Sequence, residues 1–120
     1  MKIRAELLRG LSFVTMTFPA QAALGDAAVV LDAQVADGRI SVTIAHPDTG
    51  WDHYADAWEV FDDRGNSLGM RTLLHPHVAE QPFTRSLAID VPDDVTALTI
   101  RARCSVDGWS ETEYRIDLAD

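Results

Sequence analysis

From Ala27 onward the apolar positions recur with a period of two. Val29, Leu31, Ala33 and Val35 alternate with Val30, Asp32, Gln34 and Ala36, and residues two apart on an extended chain share a face. Asp37-Gly38 follows, a two-residue turn in which both positions tolerate positive φ. Ile40, Val42 and Ile44 then alternate with Ser41, Thr43 and Ala45. The pattern predicts two antiparallel strands, Ala27–Ala36 and Arg39–His46. His46-Pro47-Asp48-Thr49-Gly50 stops the second, since proline and glycine punctuate strands. Trp51–Ala57 reads as a loop or a short helical turn.

A third strand carries Trp58 and Val60 inward and ends near Asp62, with Asp63-Arg64-Gly65-Asn66 as its turn. Ser67–Leu74 is the fourth strand, and His75–Pro82 a second connecting loop. Phe83–Val91 sets Phe83, Arg85, Leu87 and Ile89 on one face and ends at Pro92-Asp93-Asp94. Ala97–Val106 sets Leu98, Ile100, Ala102, Cys104 and Val106 on one face, opposite Thr99, Arg101, Arg103 and Ser105. Asp107-Gly108-Trp109-Ser110 turns the chain, and Glu113–Leu118 closes with Tyr114, Ile116 and Leu118 inward. Seven short strands separated by turn signals predict an all-β, two-sheet antiparallel sandwich. The closing segment LTIRARCSVDGWSETEYRIDL resembles the last hairpin of fibronectin type III and other immunoglobulin-like domains. That resemblance implies a seven-stranded immunoglobulin-like (fibronectin III-like) sandwich, with Trp58 in its core.

The N-terminus departs from this pattern. Lys2, Arg4 and Arg9 precede the apolar run Leu11–Phe18, and Ala20-Gln21-Ala22 follows. A basic start, a short apolar middle and an A-x-A end describe a secretory signal peptide, and the run is too short to span a bilayer. Residues 1–22 are therefore expected to be removed, leaving residues 23–120 as one exported domain in the periplasm or outside the cell. That part holds seven basic residues, all arginine, against eighteen acidic ones. An excess of negative charge disfavours nucleic acid and anionic membranes as partners. A single cysteine, Cys104, allows no internal disulfide.

Strand counting gathers the chemistry at one end. If strand two runs upward, the loops after strands two, four and six all lie at the top. That end collects His46, His53, His75, His77, Trp51, Trp109, Asp48, Asp52, Glu80 and Asp107, with Cys104 on the strand leading to it. Loops at one end of a rigid sandwich usually carry its function. Imidazole is a common ligand for zinc, copper and iron, and His75-x-His77 on extended chain would present two rings to one ion. The candidate metal ligands are His46, His53, His75, His77 and Cys104, and the candidate cofactor is one transition-metal ion: copper, zinc or iron. Cys104 also reads as a core thiol, from its parity with Ile100 and Ala102. Trp51, Glu80, Asp107 and Trp109 are the candidate contacts for a small ligand or protein partner. No G-x-S-x-G, phosphate-loop, H-E-x-x-H or C-x-x-C motif occurs. Residues 23–120 contain no lysine, which excludes Schiff-base chemistry.

Two resemblances bear on function. GWDHYADAWEVFDDRGNSLGMRTLLHPHVAEQPFTRSL is similar to a group of small secreted bacterial β-sandwich proteins, which implies export and transfers no activity. His46-Pro47, His53-Tyr54 before Trp58, and Cys104-Ser105-Val106-Asp107-Gly108-Trp109 resemble, in order, the iron-site loops of superoxide reductases. That family binds one iron through four histidines and one cysteine, and its late motif is C-x-x-H before glycine and tryptophan. Here Asp107 stands in place of the terminal histidine, the early histidine is missing, and His75-Pro76-His77 has no counterpart. Three functions are thus expected. The first is an exported binding or accessory module whose histidine-bearing end meets a metal, ligand or protein. The second, implied by the resemblance, is a mononuclear iron redox enzyme of superoxide-reductase type. The third is a purely structural accessory subunit.

Overall fold

The turn expected at Asp37-Gly38 is present in the computed structural model, which describes residues 27–118. Both residues take positive φ, 54° and 76°, and join β1 (Val29–Ala36) to β2 (Arg39–Ala45). The predicted signal segment lies outside the described residues. Six further strands follow: β3 (Ala55–Phe61), β4 (Ser67–Thr72), β5 (Phe83–Ala88), β6 (Ala97–Cys104), β7 (Gly108–Trp109) and β8 (Tyr114–Asp117). No helix occurs among the described residues. The strands form two antiparallel sheets, one ordered β1-β2-β5 and the other β4-β3-β6, with β7 and β8 both on β6. The closing strand expected at Glu113–Leu118 is β8, and the turn expected at Asp107–Ser110 holds a further two-residue strand, β7. β7 pairs with Arg103 and Cys104, and β8 with Ala97–Ile100.

The core lies between the sheets and follows the period-two pattern. Ile40, Val42, Ile44, Trp58, Val60, Leu98 and Ile100 have no exposed surface. Trp58 is a core residue, as expected.

Three inward assignments are corrected. Val29 and Leu31 are exposed, because the β1–β2 register shifts between Val30 and Asp32. Leu31 is the extra residue of a bulge, and an extra residue reverses parity on its far side. Val30 packs on the core in their stead. Val106 is exposed as well, since β6 ends at Cys104 and the chain turns away.

At the opposite end, Asp62 is a buried carboxylate. It is only 6% exposed, and its carboxylate accepts from Arg64 N and Asn66 N, both at 2.8 Å. Asp63 accepts from the backbone N and hydroxyl of Thr96, each at 3.0 Å. The backbone N–H of Asn66 chiefly holds Asp62 below the ordinary carboxylate range, and that of Thr96 does so for Asp63. A carboxyl whose pKa is depressed by folding stabilises the fold above its unfolded value of 3.8. That stability is lost as pH falls through the folded value. Urea unfolding midpoints are therefore expected to drop steeply below about pH 4. In Asp62→Asn/Asp63→Asn protein the same titration should be flatter; an equal slope would mean that other carboxyls carry the acid sensitivity.

Candidate metal centre

β2 ends at Ala45, and Pro47 prevents it from continuing. His46 is thereby delivered to the end of the sandwich, where it is buried. Its backbone N donates to Gln81 Oε1 at 3.0 Å, and Gln81 Nε2 donates to the His77 carbonyl at 2.9 Å. One side-chain amide thus ties the two histidine loops together.

Asp48 does more. Its side chain is fully buried, and Oδ1 lies 2.5 Å from His46 Nδ1 while also accepting from Ala55 N at 3.0 Å. Oδ2 accepts from His77 N at 2.8 Å. One carboxylate therefore joins the end of β2, the start of β3 and the second loop. A carboxylate on Nδ1 fixes the imidazole tautomer and its orientation, so Nε2 is the nitrogen through which His46 would ligate a metal. Sequence reasoning placed Asp48 at this end but gave it no role. Its position two residues after His46, beyond a strand-breaking proline, was the available signal.

His53 is held by a tight turn, with Thr49 N donating to His53 O at 3.0 Å and His53 N to Gly50 O at 3.1 Å. Its ring meets that of His46 edge-on, with centroids 4.9 Å apart. His53 Nε2 is buried and has no hydrogen-bond partner among the described residues. A buried polar atom left so needs an explanation, and an absent ion is one. Cys104 ends β6 opposite Ala55. Its neighbour Ser105 pins the His53 loop, exchanging bonds with Tyr54 at 2.8 and 3.0 Å. Cys104 is buried, and Val106 N donates to its Sγ at 3.4 Å. An N–H aimed at sulfur tunes a ligating thiolate.

These elements bring one ligand atom each of His46, His53 and Cys104 within 4.8 Å of one another. Asp107 stands beside them, with Oδ2 3.7 Å from both His53 Nε2 and Cys104 Sγ. Its side chain is 47% exposed.

His75 and His77 sit next to each other, ring centroids 4.6 Å apart, but outside this group. His77 is 4% exposed, stacks on Phe83 at 3.8 Å, and its Nε2 accepts from Arg85 Nη2 at 2.9 Å. Burial first, then the Arg85 charge, lowers its pKa, so its ring is neutral at pH 7. His75 is exposed and its Nδ1 lies 3.0 Å from the Pro76 carbonyl. Trp51 is 66% exposed and packs edge-on against Tyr54. Glu80 faces Arg85 at 3.5 Å. Trp109 is half-buried under Arg101 and, with Asp107 and Tyr114, lines an open groove of about 760 Å³.

No protein-family model matches the chain. A Halomicrobium mukohataei protein named "Putative lipoprotein" is 41% identical over 87 residues, 70% of this chain and 43% of that protein. The chain thus spans less than half the length of this relative. Among solved structures, a superoxide reductase from Giardia intestinalis superposes with a TM-score of 0.56 at 16% identity, over 78% of this chain and 99% of that one. A neelaredoxin-type superoxide reductase from Archaeoglobus fulgidus gives 0.50 at 12% identity, over 89% and 98%. The chain thus shares its overall fold with these superoxide reductases.

Proposed function

We propose that this protein is an exported mononuclear metal protein whose ion is held by His46, His53 and Cys104. The observation that carries the reading is the convergence of those three donors within 4.8 Å. The buried, unbonded Nε2 of His53 supports it, as does the fold shared with superoxide reductases. Two imidazoles and a thiolate suit zinc, copper or iron. Asp48 orients His46, Val106 N–H tunes the sulfur, and the core side of the site excludes water. We read the sandwich as immunoglobulin-like from its three-stranded sheet packed against the β6-centred one. Export rests on residues 1–22 and agrees with the relative's description as a lipoprotein.

Superoxide reduction at a bound iron is the second reading, favoured by the fold. Iron would supply one-electron chemistry, but four histidines and a cysteine are not assembled here: the early histidine is missing, Asp107 stands in place of the terminal one, and His75 and His77 lie outside the cluster. An anionic substrate would also meet a chain of net charge −9, which steers anions away. The residues fit one metal ion, and not the four-histidine iron.

Metal analysis of tag-free protein is expected to find one ion per chain, lost in Cys104→Ser and in His53→Ala while the far-ultraviolet circular dichroism is kept. Metal-free wild-type protein with no affinity for zinc, copper or iron would end this reading. Superoxide consumption by the iron-loaded protein, absent from Cys104→Ser, would favour the second.

A further inference from the structure

We infer that Asp107 is the fourth ligand of this ion, so that the site is four-coordinate and opens to solvent through a carboxylate. The inference rests on the metal-centre reading and concerns the position at which the chain departs from the superoxide-reductase pattern.

Three observations support it. The first is spacing. Metal bonds of about 2.0–2.2 Å to nitrogen or oxygen and about 2.3 Å to sulfur set tetrahedral ligand atoms roughly 3.3–3.6 Å apart. Asp107 Oδ2 stands 3.7 Å from two of the three donors, His53 Nε2 and Cys104 Sγ. That distance is too long for a strong hydrogen bond to His53 but close to a shared coordination edge. Among the described residues only His46, His53 and Cys104 lie mutually within 4.8 Å, so the half-exposed Asp107 side chain has to move towards His46 to complete the set.

The second is chain path. β6 ends at Cys104, and Gly108, with φ 81°, pairs back onto Cys104. A turn of three residues therefore lies between the thiol and its own ladder partner. It presents Asp107 to the thiol without rearrangement of either sheet.

The third is charge. Two neutral imidazoles, one thiolate and one carboxylate sum to two negative charges and neutralise a divalent ion. Four histidines and a cysteine would leave a divalent ion with net positive charge. A neutral, four-coordinate centre suits zinc or another divalent ion without demand for a fifth donor.

The four donors differ in exposure. His46 and Cys104 are sealed, while the Asp107 side chain is 47% exposed. Asp107 is the ligand that an incoming cation meets first, and the one a water or exogenous ligand would displace.

Cobalt chloride titrated into tag-free apo protein tests this, because Co²⁺ reports coordination number by its visible absorption and thiolate ligation by a near-ultraviolet charge-transfer band. Wild-type protein is expected to bind one Co²⁺ with the intense visible bands of a tetrahedral ion. Asp107→Ala should keep the sulfur charge-transfer band but lose affinity by more than the roughly 10–100-fold that removal of a second-shell partner costs. Its visible bands should weaken and shift as water enters. Asp107→His, which offers an imidazole donor in place of the carboxylate, should recover affinity more fully than Asp107→Asn. An Asp107→Ala spectrum and affinity equal to wild type would overturn the inference while leaving the three-ligand centre intact. Absence of the sulfur band in wild type would instead remove the centre itself.

Discussion

Replacing Asp48 by alanine is expected to lower the unfolding free energy by about 3–5 kcal/mol, as removal of one partner from a buried pair does. The reason is the number of groups that share this carboxylate. His46 Nδ1 and the backbone N–H groups of Ala55 and His77 all point at its two oxygens. Alanine would leave all three without that acceptor, away from water. Asp48→Asn retains one carbonyl oxygen and should cost less. Its effect on the metal centre is the sharper readout: an amide on Nδ1 no longer holds the ring by charge, and metal affinity should fall about 10–100-fold. Denaturant unfolding of both apo variants measures the first effect, and competition with a chromophoric chelator the second. An Asp48→Asn protein that binds metal as wild type does would show that His46 needs no orienting partner.

Trp58→Ala should cost a similar amount, about 3–5 kcal/mol. The side chain is wholly buried on β3 and lies between the two strands that flank it, opposite Arg71 of β4 and Ala102 of β6. Its loss removes apolar area from the centre of the core and leaves a cavity that two hydrogen-bonded sheets can only partly close. The indole Nε1 has no hydrogen-bond partner among the described residues, so part of the wild-type packing is offset by an unpaired buried N–H. Trp58→Phe removes that group together with some volume, and its cost should be clearly smaller than that of alanine. Equal losses from the two would mean that the cavity term does not dominate.

The strands were legible because period two is a local property. Ile40, Val42 and Ile44 could face only one way once Asp37-Gly38 set the turn. The Leu31 bulge was not legible. In Val29-Val30-Leu31 all three residues are apolar, so a one-residue slip of parity leaves no mark on the pattern. The short β7 was not legible either, since Gly108-Trp109 lies in a turn signal and only its pairing with Arg103 and Cys104 makes it a strand. Strand counting did bring these loops together, and backbone hydrogen bonds accepted by Gln81, Asp48 and Ser105 account for that meeting. Which histidines would converge lay beyond it. His77 is turned onto Phe83 and engaged by Arg85, two residues further along β5, through contacts that depend on loop path rather than on spacing. The meaning of Asp107 depended on a 3.7 Å proximity that no motif encodes.

The Leu31 bulge also bears on how the molecule behaves among its own copies. β1 is an outer strand of the three-stranded sheet, and its sequence, rich in valine and free of proline, would as a flat ladder offer a ready template to another chain. The extra residue kinks that ladder and disrupts its regular spacing. A deletion of Leu31 would keep Val30, Ala33 and Val35 facing the core, and would straighten the border at which neighbouring molecules could begin to polymerise.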